Sequence, residues 1–227
     1  MIKKIKKPFF VVNPKSFLYG NSLIELAKSA DELAKRYKID ILFTALPTEL
    51  SILAVKCPHL FITAQHIDST YPGDKMGKIL GESLKNIGVQ AVVLNHADNP
   101  LTMQQIYESI KRTKEIGLRT IVCANSVWEA KSIAELHPDI VLAEPTELIG
   151  NSQISSQEYV KATISSIKEI NNEILVEQGA GIRTEEDVQK LLQLGADGVG
   201  VTSGIINNKS PVGIMERMIK TIASFKS

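Results

Sequence analysis

Ile174–Gly204 reads ILVEQGAGIRTEEDVQKLLQLGADGVGVTSG. A short apolar run, Ile174–Gln178, breaks at Gly179-Ala180-Gly181, and a helical pattern then extends to Leu194-Gly195-Ala196. A second run, Gly198–Thr202, leads into Ser203-Gly204. This is a strand, a helix and a strand. A glycine stands where the chain takes the left-handed position just past the helix, so the next strand begins at once. The turns after the two strands, Gly-Ala-Gly and Thr-Ser-Gly, put free backbone N–H groups where a phosphate can bind.

The same unit recurs along the chain. Earlier strands are expected at Phe9–Asn13, Ile41–Ala45, Leu60–Ala64, Ala91–Asn95, Thr120–Ala124 and Ile140–Glu144. After the first, Leu23, Leu26, Ala27, Ala30, Leu33 and Ala34 recur at helical spacing. Pro47 opens a short helix after the second. Ile87-Gly88-Val89 and Ile116-Gly117-Leu118 repeat the helix ending seen at Gly195, and a last helix runs from near Pro211 to the C-terminus. Eight units in 227 residues come to about 28 residues each, close to the roughly 30 of a sparsely decorated barrel. The pattern predicts one α/β domain over residues 1–227, a (β/α)8 barrel. A doubly wound open sheet would usually carry G-x-G-x-x-G after its first strand. Here that strand ends in Asn13-Pro14-Lys15-Ser16, with no glycine before Gly20. The connections after the third and sixth strands are the long ones, and a barrel builds its site from such loops.

Composition narrows the partners. Twenty-six basic and 25 acidic residues leave a net charge of +1, which argues against nucleic acid or a membrane surface as a partner. The basic run Lys3, Lys4, Lys6 and Lys7 reads as a solvated terminus. No apolar stretch reaches about 18 residues, and Phe9–Val12 is too short for a signal peptide. Cys57 and Cys123 lack metal-ligand spacing and read as reduced thiols, so the expected setting is the cytoplasm. His66 and Asp68 stand at i and i+2 with no third ligand in sight. They read as loop scaffolding, and no metal or cofactor is expected.

Polar residues gather where strands end. Strand 1 ends at Asn13 and Lys15, strand 4 at Asn95 and His96, and strand 6 at Glu144. Each alone has an ordinary explanation: a loop carboxylate, a satisfied histidine, a solvated lysine. In a barrel they meet on one face with the two glycine-containing turns, and the chemistry that fits is proton transfer on a small phosphorylated molecule.

At these residues the chain resembles the triosephosphate isomerase family, with its TIM barrel, and especially the short archaeal-type form. The likeness rests on Ala64-Gln65-His66-Ile67-Asp68, Leu94-Asn95-His96, Glu144-Pro145 with Glu147-Leu148-Ile149-Gly150, Gly179-Ala180-Gly181-Ile182, and Gly195 to Val199 with Ser203-Gly204. The resemblance implies cofactor-free interconversion of dihydroxyacetone phosphate and glyceraldehyde 3-phosphate. It makes Glu144 the general base, His96 a neutral electrophile at a helix N-terminus, and Lys15 the counter-charge. This pairing of base and imidazole is the family's well-known arrangement. By the same resemblance Asn13 orients Lys15 and the substrate, and Gly150, Gly181, Thr202 and Ser203 hold the phosphate. The loop from Pro145 to about Ser152 closes over the site. Loop 3, His66 to Ile79, implies a homodimer or homotetramer, with Met76, Ile79 and Leu80 offering apolar contact.

Four positions depart from the family pattern. Pro14 replaces a bulky aromatic, Ala97 a serine, Asp98 a glutamate and Met76 a threonine. They leave open an isomerase of another short sugar phosphate, such as a tetrulose phosphate. A binding protein without catalysis is a further alternative, against which Lys15, His96 and Glu144 count. A class I aldolase fits poorly, because strand 6 ends in Glu144 rather than a lysine.

Overall fold

The computed structural model describes residues 4–149 and 153–225. Eight parallel strands close into a barrel in chain order. They are β1 (Phe9–Val12), β2 (Ile41–Ala45), β3 (Phe61–Ala64), β4 (Ala91–Leu94), β5 (Arg119–Ala124), β6 (Ile140–Ala143), β7 (Leu175–Gln178) and β8 (Gly198–Val201). β1 pairs with both β2 and β8, so no strand edge is left open. The expected (β/α)8 fold is the observed one, with strand ends displaced by at most one residue, within the latitude of hydrogen-bond assignment.

The helices are α1 (Gly20–Tyr37), α2 (Leu50–Lys56), α3 (Gly81–Asn86), α4 (Met103–Ile116), α5 (Val127–Ala134), α6 (Gln157–Ile170), α7 (Glu185–Gln193), α8 (Ser203–Ile206) and α9 (Pro211–Ser224). Pro47 starts the turn before α2, which itself begins at Leu50. Gly88, Gly117 and Gly195 all take positive φ, as their place between helix and strand required.

Strand alternation divides the apolar residues between two cores. Phe9, Val11, Leu42, Phe61, Ile121 and Leu142 point inward and fill the barrel. Phe10, Val12, Phe43, Val92 and Val141 point outward and pack under the helices. Both faces are buried, which is why the strands read as continuous apolar runs rather than alternating ones.

The long connection after β3 is braced from within. Asp68 accepts from the Ile79 N–H at 2.8 Å and from Lys78 Nζ at 3.1 Å, tying its two ends together. Below it the buried Arg112 pairs with Glu82 and Glu115, and its guanidinium lies 4.0 Å from the centre of the Tyr71 ring. The His66–Asp68 pair is thus part of a loop brace.

Candidate active site

A cavity of about 670 Å³ opens at the carboxyl ends of the strands. Asn13, Lys15, His96, Glu144, Gly181, Thr202 and Ser203 all line it. Gly150 lies outside the described residues, as do Asn151 and Ser152 of the expected closing loop. The described part of that loop includes a short 3-10 turn, Thr146–Leu148, and Ile149, which reaches the cavity.

Lys15 is aimed by its neighbours. The Asn13 side-chain oxygen accepts from the Lys15 N–H at 3.1 Å and from the Thr44 hydroxyl at 2.6 Å. This bonding two residues on is a local turn, and Lys15 takes the left-handed conformation with φ 49. Gln65 donates to the Lys15 carbonyl at 3.0 Å. The ammonium then meets Asp98 Oδ2 at 3.0 Å. Asp98 thus reaches the ammonium, and the hydrogen bond from Lys15 holds its carboxyl below the usual range.

His96 is largely buried. Its Nδ1 accepts from the Asp98 N–H at 3.1 Å. In the neutral ring that assignment leaves the proton on Nε2, which faces Glu144 Oε2 at 3.9 Å. Burial lowers the imidazole's pKa first, and the Lys15 charge lowers it further. The cause differs from the one expected. Residues 96–99 form a turn closed by the Asn99 N–H on the His96 carbonyl at 2.7 Å, and α4 begins only at Met103. His96 therefore does not sit at a helix N-terminus, and desolvation with a neighbouring cation replaces the helix dipole as the cause.

Glu144 continues the β6 ladder by donating its N–H to the Ala124 carbonyl at 2.9 Å. Its carboxyl packs on Gly179, where a Cβ would lie 2.9 Å from Oε1. Burial raises its pKa; Lys15 and the N–H of Ala180 pull it back down, and Asp98 adds a smaller upward push. The Ala180 N–H supplies a hydrogen bond to the carboxylate beside a loop that lacks a serine at Ala97. Ala180 takes a positive φ of 65 to do so, a conformation the sequence did not signal at a non-glycine position.

The remaining turns are tight. A Cβ on Gly181 would collide with the backbone of Gln153, so the chain returning from the loop after β6 lies directly on this glycine. Thr202 precedes α8, whose first closing bond runs from the Ile205 N–H to the Thr202 carbonyl at 3.1 Å. The first-turn N–H groups of a helix lack internal acceptors, and Ser203 sits there at the cavity wall.

Asn95 does not join the cavity. It takes φ 58 and turns to the outer side. There its amide donates to the Cys123 carbonyl at 2.9 Å and to Glu129 at 3.0 Å. Sequence reasoning missed Glu177, a buried carboxylic side chain on β7 that also borders the cavity. The signal was present in the alternation, since Glu177 and Leu175 share a face of their strand.

A family model described as triosephosphate isomerase matches residues 8–221. Triosephosphate isomerase of Methanocaldococcus jannaschii is 35% identical over 217 residues, covering 93% of this chain and 99% of the relative. Triosephosphate isomerase of Sulfurisphaera tokodaii is 33% identical over 220 residues, 95% of each chain. That of Methanosarcina barkeri is 33% identical over 220 residues, 95% of this chain and 99% of the relative.

Proposed function

The chain belongs to the triosephosphate isomerase family, and from that premise we propose that it interconverts dihydroxyacetone phosphate and glyceraldehyde 3-phosphate without a cofactor. The observation that carries the reading is the approach of a carboxyl and a neutral imidazole to 3.9 Å in a cavity that also holds a lysine ammonium.

In this mechanism Glu144, as carboxylate, removes the proton from the hydroxymethyl carbon next to the carbonyl of dihydroxyacetone phosphate. The electron pair moves onto the carbonyl oxygen and gives an enediolate. His96 donates from Nε2 to the oxygens that gain charge, and its neutrality suits it to that role, because the proton it shares is held in reserve rather than lost to bulk water. Lys15 offsets the charge of the enediolate and the phosphate. His96 Nε2 gives its proton to the former carbonyl oxygen and takes the one on the hydroxyl of the former hydroxymethyl carbon, so that protonated Glu144 can return its proton to the neighbouring carbon and leave the aldehyde. Burial of Glu144 strengthens it as a base, which is the direction a carbon acid needs.

The N–H groups at Gly150, Gly181 and Ser203, with Thr202 beside them, bind the phosphate. Residues 145–152 close over the enediolate and exclude water. The enzyme works in the cytoplasm as a homodimer or homotetramer joined through loop 3, where Met76 is 96% exposed. Light scattering reads the assembly, and a monomer at assay concentration overturns that part. Among the described residues no helix is long and apolar enough to cross a membrane.

The decisive assay supplies glyceraldehyde 3-phosphate and follows dihydroxyacetone phosphate through a coupled, NADH-consuming dehydrogenase. Turnover lost in Glu144→Gln is expected. A wild-type protein that binds phosphate yet turns over neither triose phosphate rejects the reading.

A further inference from the structure

Glu177 has no part in the mechanism above, yet it borders the same cavity. Along β7, Val176 and Gln178 face outward, the latter donating to Thr163 of α6 at 3.1 Å. Glu177 therefore faces the barrel interior. Its strand partners are Leu142 on β6 and Gly198 on β8. Leu142 precedes Glu144 by two residues, so Glu177 lies one inward layer below the base. The cavity walls at that depth are Val11, Val93, Ile121 and Leu142.

Two details show how this chain accommodates an acid there. Its Oε1 occupies the space where any side chain on Gly200 would begin, so a Cβ at that position would collide with it. Its Oε2 is buried and has no hydrogen-bond partner. The residue as a whole is 1% exposed. Burial, and then the negative charge of Glu144, push its pKa well above the ordinary carboxyl range. Both causes favour the protonated form, which has one O–H to give, and a buried donor left unmade is costly.

We propose that Glu177 is a specificity-determining residue at the cavity floor, donating a hydrogen bond from Oε2 to a hydroxyl or carbonyl oxygen at the non-phosphate end of a bound sugar phosphate. The assignment of ends follows from depth: the turns at Gly181 and Ser203 stand at the strand termini, and Glu177 lies below them. The proposal rests on the reading of this cavity as a sugar-phosphate site, and not on its turnover.

The test is calorimetric binding of two probes, inorganic phosphate and glycerol 3-phosphate, to the wild type, Glu177→Gln and Glu177→Leu. Glutamine keeps a donor on the same frame, and leucine keeps only volume. Glycerol 3-phosphate should bind about tenfold more weakly to Glu177→Leu, the scale of one hydrogen bond to a ligand oxygen. Glu177→Gln should stay within about threefold of the wild type, and inorganic phosphate should bind all three alike. Equal weakening of both probes would mark a merely structural residue, and unchanged glycerol 3-phosphate binding would remove the contact. Either result overturns the proposal.

A second measurement does not depend on the leucine variant folding. The infrared carbonyl band of a protonated carboxylic acid, present in the wild type and absent in Glu177→Gln, should shift when glycerol 3-phosphate binds and not when phosphate binds. A band that ignores both ligands overturns the contact. If the binding pattern holds while the wild type fails the coupled assay, the proposed isomerase activity falls and this assignment stands.

Discussion

Glu144, just past the end of β6, and Glu177, on the adjacent β7, are both carboxyl side chains largely withdrawn from water, yet their surroundings ask opposite things of them. Around Glu144 stand the Lys15 charge and the Ala180 N–H, both favouring the carboxylate, against burial and the more distant Asp98. Around Glu177 burial and the charge of Glu144 both act against ionisation. Cys123, inward on β5, is pushed upward by burial first and then by the charge of Glu144, and it offers no compensating charge. One acid is held where it can exchange a proton, and the other is held in its neutral form. Two residues of identical chemistry are thereby separated by what faces them, and in such a pair environment assigns the roles.

The largest effect that sharpens the contrast is Glu144→Gln. If only Glu144 exchanges the substrate proton, kcat should fall by at least about 10³-fold with a small change in KM, because the lost interaction belongs to the transition state. Coupled-assay kinetics measures both. Glu177→Gln, by contrast, should keep kcat within about tenfold, since it removes no base. Comparable losses in the two variants would erase the distinction.

The next effect is on stability, and its sign follows from the raised pKa of Glu177. The folded protein keeps a proton that the unfolded chain gives up above the ordinary carboxyl range. The stabilisation is therefore complete below the unfolded pKa and is lost as pH rises toward the folded one. Glu177→Gln removes this dependence. Relative to the wild type it should gain stability by about 1.4 kcal/mol per pH unit between roughly pH 5 and neutrality. Urea denaturation across that range measures the slope. A difference independent of pH would mean that Glu177 is ionised in the fold.

The third is a packing test of the same acid. Gly200→Ala places a Cβ against Glu177 Oε1, and overpacking of this kind costs about 1–3 kcal/mol. Trimming the acid as well, in Gly200→Ala with Glu177→Ala, should make the alanine at position 200 cost less than it does alone. Thermal melting of the four proteins gives the coupling. Additive losses would show that the glycine is there for some other reason.

The barrel was legible because each strand is bounded by turn chemistry and buried on both faces, which makes runs such as Ile41–Ala45 and Ile140–Ala143 stand out. The glycines at 88, 117 and 195 fixed the helix-to-strand joints locally. The meeting of Lys15, His96 and Glu144 followed from the fold, since closing the ring brings strand ends together whatever their distance in sequence. What escaped was set by tertiary surroundings. Asn95 turned outward because Glu129 and the Cys123 carbonyl satisfy its amide there. His96 is neutral through burial and Lys15 rather than through a helix terminus, and nothing local fixes where α4 begins more closely than Thr102 and Gln105, which cap it. Glu177 looked like an ordinary strand residue, and only its contact with the side-chain-free Gly200 on the neighbouring strand reveals the space made for it.

The smallest effect comes from Asp98, a charge near the site that is open to water. Asp98 is 73% exposed while its partner Lys15 is mostly covered. Pairs of this kind contribute about 0–1 kcal/mol to stability, so Asp98→Asn should leave the melting temperature almost unchanged. Its influence on the two buried carboxyls should nevertheless differ. Asp98 raises the pKa of Glu144 and is absent from the causes acting on Glu177. Removing its charge also leaves Lys15 less neutralised beside the base. Both changes favour the Glu144 carboxylate, so the acid limb of the kcat/KM profile should move to lower pH, while the pH slope of stability assigned to Glu177 should stay where it is. His96, whose pKa Asp98 raises, becomes if anything harder to protonate, so no new limb from imidazolium should enter. A limb that moves upward, or a stability slope that moves with it, would mean that the two carboxyls titrate as one coupled pair rather than as a base and a separate neutral acid.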